Sequence, residues 1–233
     1  MTSVTPRRPV SRLSRERRIA DIMAAGREVF REKGYEDAPL SDIAEKANVV
    51  EGSIYRYFDN KRDLLVKVIE VWYEGMLADY QEQLSGIRGT RNRLRYMIWR
   101  HLKTIHDEPA LCNLMFQFLR SGKDYSKTGV FNLNRNYTRQ TLDIISEGVR
   151  KGELRGDVSL RLVRDMIYGC VEHTTWAYLR GEADFDVEKT ADDVVELVLS
   201  GLQVRYTGSP TGPDIATRLE NAVEKLEAMT EKP

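Results

Sequence analysis

The sequence is poor in the residues that build several common sites and scaffolds. Its 233 residues include two cysteines and three histidines, which excludes a disulfide scaffold and argues against a structural zinc site. No apolar run approaches the ~20 residues that a membrane-spanning helix needs, so no membrane segment is expected. No proline lies between Ala110 and Ser209, which permits long helices because proline costs about 3 kcal/mol inside one. Alternating β-branched runs are also missing, and we expect an all-α chain.

Charge of either sign is not in excess, since 36 basic residues balance 36 acidic ones. The balance hides a basic head: residues 1–18 carry six arginines and one glutamate. Such a head either faces a polyanion or is a solvated arm. Pro6 and Pro9 interrupt the helix that a transit peptide would form, and the segment lacks the apolar core of a secretory signal. We therefore predict a disordered basic arm at 1–14 in a cytoplasmic protein.

Apolar residues at i, i+3, i+4 and i+7 predict a series of helices. Gly34, Gly152 and Gly181 are the expected stops of three of them, and Ser41 and Ser159 are expected to cap two others. A linker is predicted at 207–213. The predicted helices are 15–33, 42–47, 51–57, 61–84, 91–107, 109–120, 130–151, 159–180, 187–206 and an extra C-terminal helix at 214–230.

Two short helices joined by a tight turn, within residues 40–65, are typical of a helix-turn-helix. Ile43 and Ala44 are predicted to face inward, Asn48 to make the turn, Val49 to fill the corner and Ile54 to face the core. The outward side of the second helix then carries a hydroxyl, a phenol and a guanidinium, which suit a DNA groove. The outward residues are Glu51, Gly52, Ser53, Tyr55 and Arg56.

This segment resembles the DNA-binding signature of the tetracycline-repressor (TetR) family. The resemblance implies a homodimer with one recognition helix per subunit, usually repressive, with a C-terminal domain that binds a small molecule. It implies domains at 15–62 (helix-turn-helix) and 63–206 (ligand binding and dimerisation), joined by the long fourth helix. The residues that carry the resemblance are Ile43-Ala44, Ala47, Val49, Gly52-Ser53-Ile54-Tyr55, Tyr57-Phe58, Lys61 and Leu64.

The resemblance assigns DNA contacts residue by residue. It implies phosphate contacts by Tyr55 and Tyr57, a groove-facing hydroxyl at Ser53, and a phosphate anchor at Lys61. For Tyr57 core packing is an equal alternative, and for Phe58 we expect it.

Three further positions affect this surface. Arg56 is the candidate for base readout, with solvation as the alternative, and Ser41 is a further candidate for a phosphate contact. The family often has serine or threonine where Val50 stands, and valine can neither cap the recognition helix nor bond a phosphate.

Helices 159–180 and 187–206 are apolar on more than one face, which predicts burial against their symmetry mates in a homodimer. Gly169 and Leu202 are expected at that interface. A monomer in which the extra helix covers these faces is the alternative.

A ligand pocket is expected between helices 4 and 8, from bulky or polar-tipped side chains that otherwise build an ordinary core. A fatty acyl-CoA is one candidate effector, because the segment 168–181 and the extra helix resemble members of the family that bind such thioesters. An aromatic or cationic compound is the alternative, as for a regulator of an efflux or catabolic operon. Arg100, Lys103, Arg135 and Arg139 could frame an anionic end. The pocket candidates are Trp72, Met76, Tyr96, Met97, His101, Met115, Phe116, Leu119, Tyr137, Tyr168, His173 and Trp176.

Two other classes of function have less support in the sequence. An all-α enzyme finds no support, because no nucleophile motif, phosphate loop, metal motif or cofactor motif is present. An architectural DNA protein would not need about 170 residues of mildly acidic body. We therefore predict a ligand-responsive regulator that binds double-stranded operator DNA, without catalytic residues, cofactor or metal.

Overall fold

The computed structural model describes residues 11–204 together with residues 220 and 223, with side chains from residue 15 onward. In this part of the chain the fold is all-helical, as predicted, and no helix is long and apolar enough to cross a membrane. A π-helical turn, Leu114–Leu119, and a short 3-10 turn, Tyr125–Lys127, interrupt the series. The α-helices are α1 (Ser11–Lys33), α2 (Leu40–Lys46), α3 (Glu51–Ile54), α4 (Lys61–Ser85), α5 (Thr90–Asp107), α6 (Pro109–Asn113), α7 (Gly129–Arg150), α8 (Leu160–Leu179) and α9 (Val187–Gly201).

The helix α4 connects two packed regions. At its start it contacts α1, where Gly26 faces the fully buried Leu64. Farther along it packs on α7. Its 25 residues span about 37 Å at 1.5 Å per residue, so one helix links the small N-terminal bundle α1–α3 to the body. The centre of the body is α5, which contacts α7, α8 and α9.

Several predicted helix ends are confirmed by the backbone. Gly34, Gly152 and Gly181 follow α1, α7 and α8 and have φ of 72–73°, a conformation that glycine adopts without steric cost. Pro109 occupies the first turn of α6, where its missing N–H leaves no bond unmade. The Asn60 side chain caps α4 by accepting a hydrogen bond from the Asp63 amide at 2.9 Å.

In the N-terminal region three predictions are wrong in detail. Helix α1 begins at Ser11, so residues 11–14 are helical and do not belong to a disordered arm; residues 1–10 lie outside the described part. Ser41 does not cap α2, because the helix starts at Leu40, two residues before the predicted start at residue 42, and the Leu40 side chain is buried. The recognition helix α3 ends at Ile54, and residues 55–57 form a turn.

In the C-terminal region the helix predicted over 109–120 is divided, and its second half is the π-helical turn. Ser159 stands at the N-cap of α8, but its side chain makes no capping hydrogen bond. Helix α9 ends at Gly201, five residues before the predicted end. The linker 207–213 lies outside the described residues, as does the predicted last helix apart from Glu220 and Val223, which are helical.

The apolar side of α9 is buried within its own subunit, against α5. Leu202, which directly follows α9, is only 5% exposed, so its predicted place at a subunit interface is wrong. Arg95 of α5 strengthens the packing through hydrogen bonds to Asp192 at 2.6 Å and Glu188 at 2.8 Å. On the solvent side of α9 only Leu197, 71% exposed, is a large apolar residue among those described.

Candidate DNA-binding surface and ligand cavity

The turn between α2 and α3 has the geometry that the sequence predicts. Asn48 adopts a left-handed conformation with φ of 53°, which asparagine tolerates better than most residues. The Val49 amide then donates to the Ala44 carbonyl at 2.9 Å, and Val49 packs against the core. Ile43 and Ile54 are buried on either side. These contacts fix α3 relative to α2 and determine which of its residues face outward.

The outward side of α3 and of the turn that follows it carries the predicted polar residues. Tyr55 and Arg56 are exposed, Ser53 is half-buried, and Ser41 of α2 is exposed. Across the described residues, the Arg56 side chain makes no hydrogen bond or ion pair. The Arg56 guanidinium is therefore available to an acceptor outside the subunit.

Gly52 lies on the same exposed side as Arg56. Its φ is not positive, and no atom lies within 4 Å of the position that a Cβ would occupy. Neither backbone conformation nor packing within the subunit therefore requires glycine, although glycine in a helix costs about 1 kcal/mol relative to alanine. The missing side chain leaves room for a close approach from outside the subunit.

Two predicted phosphate contacts have partners within the subunit. The Lys61 ammonium donates to the Glu36 carbonyl at 3.1 Å and lies 4.7 Å from the centre of the Tyr35 ring. The half-buried Tyr57 ring has the Arg15 guanidinium 6.0 Å from its centre. Lys61 thus ties the start of α4 to the connection between α1 and α2. Phe58 is buried, as predicted.

A cavity of about 360 Å³ opens in the body, a size that ordinary small-molecule sites have. It lies among α4, α5, α6, the π-helical turn, α7 and α8. Its lining residues are Trp72, Tyr73, Met76, His101, Thr104, Ile105, Cys112, Met115, Phe116, Arg120, Phe131, Asn134, Arg135, Thr138, Arg164, Asp165, Tyr168 and Glu172.

Half of the twelve predicted pocket residues line this cavity. They come from four elements and form much of its apolar wall: Trp72, Met76, His101, Met115, Phe116 and Tyr168.

The other six predicted residues do not line it. Met97, Leu119 and Tyr137 are buried in the core behind the wall, where the Tyr137 ring stacks on His101 at 5.4 Å between centres. Tyr96 points elsewhere and donates to Gln83 at 2.8 Å. His173 is exposed on α8, and Trp176 lies beyond the lining residue Glu172 on the same helix.

The lining residues that the sequence reasoning missed are mainly polar. Phe131, Asn134, Arg135 and Thr138 occupy one face of α7 at helical spacing, and of these only Arg135 is among the predicted basic candidates. Of the other three basic candidates, none lines the cavity; Lys103, for instance, pairs with Asp107 at 2.6 Å. The spacing of three and four residues along α7, counted from Phe131, is the sequence signal that places these side chains on one face.

The interior of the cavity is neutral. The Tyr73 hydroxyl donates to Asn134 Oδ1 at 3.0 Å, and the hydroxyls of Tyr168 and Thr141 share a hydrogen bond at 2.7 Å. Burial, helped by the charge of Arg120, lowers the pKa of His101 to about 4, so its ring is uncharged at neutral pH. Such a wall suits an apolar ligand with few polar anchors.

The exposed side of the cavity is charged. Arg120 pairs with Glu172, and Arg164 pairs with Asp165 at 2.7 Å. The Arg135 guanidinium lies 5.7 Å from the Phe131 ring and has no hydrogen bond or ion pair within the described part of the chain. Three guanidinium groups therefore face two carboxylates, and the rim has one positive charge in excess.

The π-helical turn connects this cavity to the N-terminal bundle. Met115 and Phe116 line the cavity, whereas the Phe118 ring lies 5.2 Å from that of Tyr35 in the connection between α1 and α2. The Phe118 carbonyl accepts a hydrogen bond from Arg62 of α4 at 2.8 Å, and Arg62 also pairs with Asp124. π-Helical segments are rare and frequently occur at functional sites.

The N-terminal helices with the DNA-binding surface and the helical body with the cavity both match known protein families. Residues 22–68 match the family model of bacterial regulatory proteins of the tetR family, and residues 73–201 match that of the YsiA-like protein C-terminal region. The fatty acid metabolism regulator protein of Bacillus subtilis is 26% identical over 181 residues, covering 78% of this chain and 93% of the relative. The transcriptional repressor KstR2 of Mycolicibacterium smegmatis is 23% identical, covering 87% of this chain and 96% of the relative.

Among solved structures, the transcriptional regulator FadR from Bacillus subtilis in complex with stearoyl-CoA superposes with a TM-score of 0.69. It is 26% identical, and the match covers 79% of this chain and 99% of that one. FadR from Bacillus halodurans gives a TM-score of 0.67 at 25% identity. The helix-turn-helix geometry, the helical body and the two matched family models together show that the chain belongs to the tetR family of bacterial transcriptional regulators.

Proposed function

We propose that this regulator is a homodimeric repressor whose release from its operator is triggered by a long-chain fatty acyl-CoA. The observation that carries the proposal is the cavity, which combines an uncharged, largely apolar wall with a rim of three arginines. An acyl chain suits the wall, and the phosphates of coenzyme A suit the guanidinium groups. The similarity to FadR, whose structure holds stearoyl-CoA, supports the same ligand class.

The proposed DNA surface consists of Ser41, Ser53, Tyr55, Arg56 and Tyr57. Arg56 would read a base, because its guanidinium is exposed and has no partner among the described residues. Lys61 would reach a phosphate only by leaving the Glu36 carbonyl. The proposal keeps the division into a helix-turn-helix domain at 15–62 and a ligand-binding and dimerisation domain at 63–206, and it places the protein in the cytoplasm with the chromosome.

The proposed dimer uses the exposed face of α8. Leu162, Met166, Gly169 and His173 follow one another at i, i+4, i+7 and i+11 and are all exposed, which is the spacing of a helix-packing seam. A Cβ added at Gly169 would meet nothing in the subunit, so the glycine leaves room for the approach of a second copy. In this proposal His173 belongs to the interface, and α9 contributes its exposed side with Leu197.

The dimer predicts a clear effect of charge on the seam. Met166 is 55% exposed in the subunit, so Met166→Glu should leave the subunit folded but place an unpaired charge in the interface. We expect a loss of at least about 2 kcal/mol of dimer stability, as at an interface hot spot. Sedimentation should show monomers, while the matched Val71→Glu, at a residue of similar exposure on α4, should remain dimeric. A Met166→Glu protein that stays fully dimeric would exclude this face.

Ligand signalling is proposed to pass through the π-helical turn. An acyl chain that displaces Met115 or Phe116 would move Phe118 and the hydrogen bond to Arg62 at the start of α4. Pivoting of α4 would separate the recognition helices of the dimer. The ligand must bind the released state better than the DNA-competent one, and a hundredfold loss of DNA affinity needs about 2.7 kcal/mol of such preference.

The test is a titration of the operator complex with acyl-CoAs of different length, the matching free fatty acids and coenzyme A alone. We expect long-chain acyl-CoAs to release the operator at micromolar concentration and the other two classes to be much weaker. Arg135→Gln should raise the required acyl-CoA concentration about fivefold, since an exposed ion-pair contact of about 1 kcal/mol is lost. Arg150→Gln, on the same helix but about 22 Å away, is the control.

An aromatic or cationic effector is the second candidate. Asp165 and Glu172 also line the cavity, and a ligand that displaced their arginine partners would find two carboxylates beside aromatic rings. Release of the operator by a cationic aromatic compound, without any effect of the acyl-CoAs, would favour this candidate and leave the repressor proposal intact.

A further inference from the structure

Val50 is placed where an apolar side chain has no use within the subunit. It precedes α3 at the N-cap position, with an extended backbone at φ −79° and ψ 143°, and its side chain makes no capping hydrogen bond. It is 74% exposed, more than any other large apolar side chain recorded as exposed in the described part of the chain. By contrast its neighbour Val49 packs on the core and Ile54 is buried.

Valine at the N-cap position weakens α3, and burial within the subunit does not offset the loss. Serine, threonine, aspartate and asparagine are favoured at this position, and an aliphatic residue there leaves an amide of the first turn uncapped, which weakens the helix. Val50 does not recover that cost by burial, because three quarters of its surface is in water. The subunit therefore buries little of Val50, and most of its side chain is open to a contact from outside.

The position of Val50 points to the partner. In a helix-turn-helix the N-terminal residues of the recognition helix contact base edges in the major groove. Gly52 has no side chain to hold this end of α3 away, and Arg56 is exposed one turn further on. In the major groove, the apolar group that distinguishes one base from another is the C5-methyl group of thymine.

We propose that Val50 contacts the methyl group of one thymine in each half of the operator and thereby determines base preference at that position. The inference rests on the proposed DNA-binding function, but not on the identity of the effector. A valine in contact with this methyl group buries both partners from water, and it makes no demand on a phosphate. Specificity at this base pair then comes from an apolar contact, whereas Arg56 reads a different base by hydrogen bonds.

The experiment replaces thymine by uracil, which removes the methyl group and keeps every hydrogen-bonding group of the base. Operators are first selected from random DNA with the full-length protein. Each thymine of the selected duplex is then replaced singly. We expect one thymine per half-site whose replacement weakens binding about fourfold, the effect of about 0.8 kcal/mol for one buried methyl group, and about fifteenfold when both halves are changed.

The variant Val50→Ala closes the cycle. It should bind the thymine and uracil duplexes equally at that position, while its thermal unfolding stays unchanged because the side chain is exposed. Val71→Ala, at another exposed valine on α4, should retain the full thymine preference.

Two results would overturn the inference alone: selected operators that tolerate uracil at every position, or a thymine preference that persists unchanged in Val50→Ala. If the protein selects no DNA sequence at all, the proposed function and this inference fail together.

Discussion

The DNA-binding surface around α3 and the rim of the cavity both present arginines to solvent, but the arginines differ in whether a carboxylate pairs with them. Arg56 has no partner in the described part of the subunit, whereas Arg120 and Arg164 at the rim are each paired with a carboxylate. An unpaired guanidinium meets DNA without first breaking a contact. A paired one binds an anionic ligand only if the ligand replaces the carboxylate or displaces it.

The difference between unpaired and paired arginines suits two kinds of partner, a DNA duplex and a small anionic ligand. A DNA duplex presents a continuous line of phosphates, and a surface with free cations binds it strongly but with a marked dependence on salt. A small ligand must be distinguished from many other anions, and paired arginines discriminate because a weak anion does not compete with the carboxylate. Only Arg135 at the rim is unpaired, so it is the residue that resembles Arg56 in its availability.

The largest expected effect concerns His101 in the cavity wall and the pH dependence of folding stability that its lowered pKa causes. Burial and the neighbouring Arg120 lower the pKa of His101 to about 4 in the folded protein, against about 6.5 when unfolded. Because the folded state binds fewer protons, stability should fall as the pH decreases from about 6.5 to 4, by up to about 3 kcal/mol. Urea unfolding across this range checks it.

His101→Phe should remove most of that pH dependence, while His106→Gln should leave it in place. A pH profile identical in the wild type and His101→Phe would mean that the histidine titrates normally and that the cavity wall is wetter than its packing indicates.

The next largest effect concerns the unpaired Arg56 and the affinity for the operator. Arg56→Ala should cost about 1–3 kcal/mol of affinity for the selected operator and relax the preference at one base pair, as loss of a bidentate base contact does. Binding to unrelated DNA should change much less. Arg88→Ala, beyond the far end of α4, is the control for charge alone. Equal losses on operator and unrelated DNA would make Arg56 a phosphate contact and not a base reader.

The smallest effect tests the paired arginines. Glu172→Gln removes the carboxylate that holds Arg120, so an anionic effector no longer competes with it. The acyl-CoA concentration that releases the operator should fall about fivefold, or about 1 kcal/mol, on the scale of a half-exposed ion pair. A fluorescence titration of operator release measures this. If Glu172→Gln needs more acyl-CoA, the carboxylate binds the ligand or orients Arg120 for it.

Local sequence was sufficient for the recognition unit. Asn48 in the turn, Ile43 and Ile54 toward the core, and Arg56 outward all follow from contacts within about fourteen residues, so spacing alone predicts them. The long helices and their glycine stops are local in the same sense. Ser41 shows the limit of local patterns, because α2 starts at the buried Leu40, two residues before its predicted start, and the predicted cap is absent.

The cavity and the outer faces of the body depend on contacts that are distant in sequence. Its lining joins residues from Trp72 to Glu172, and helical spacing does not say which side of α5, α7 or α8 meets which neighbour. The sequence by itself therefore determined the helices, the family signature and the outward residues of the helix-turn-helix. Only the tertiary structure decided that His173 lies on the outer face of α8, that Leu202 is buried and that an unpaired Arg135 stands at the rim, because packing between helices selects among faces that are equally apolar in sequence.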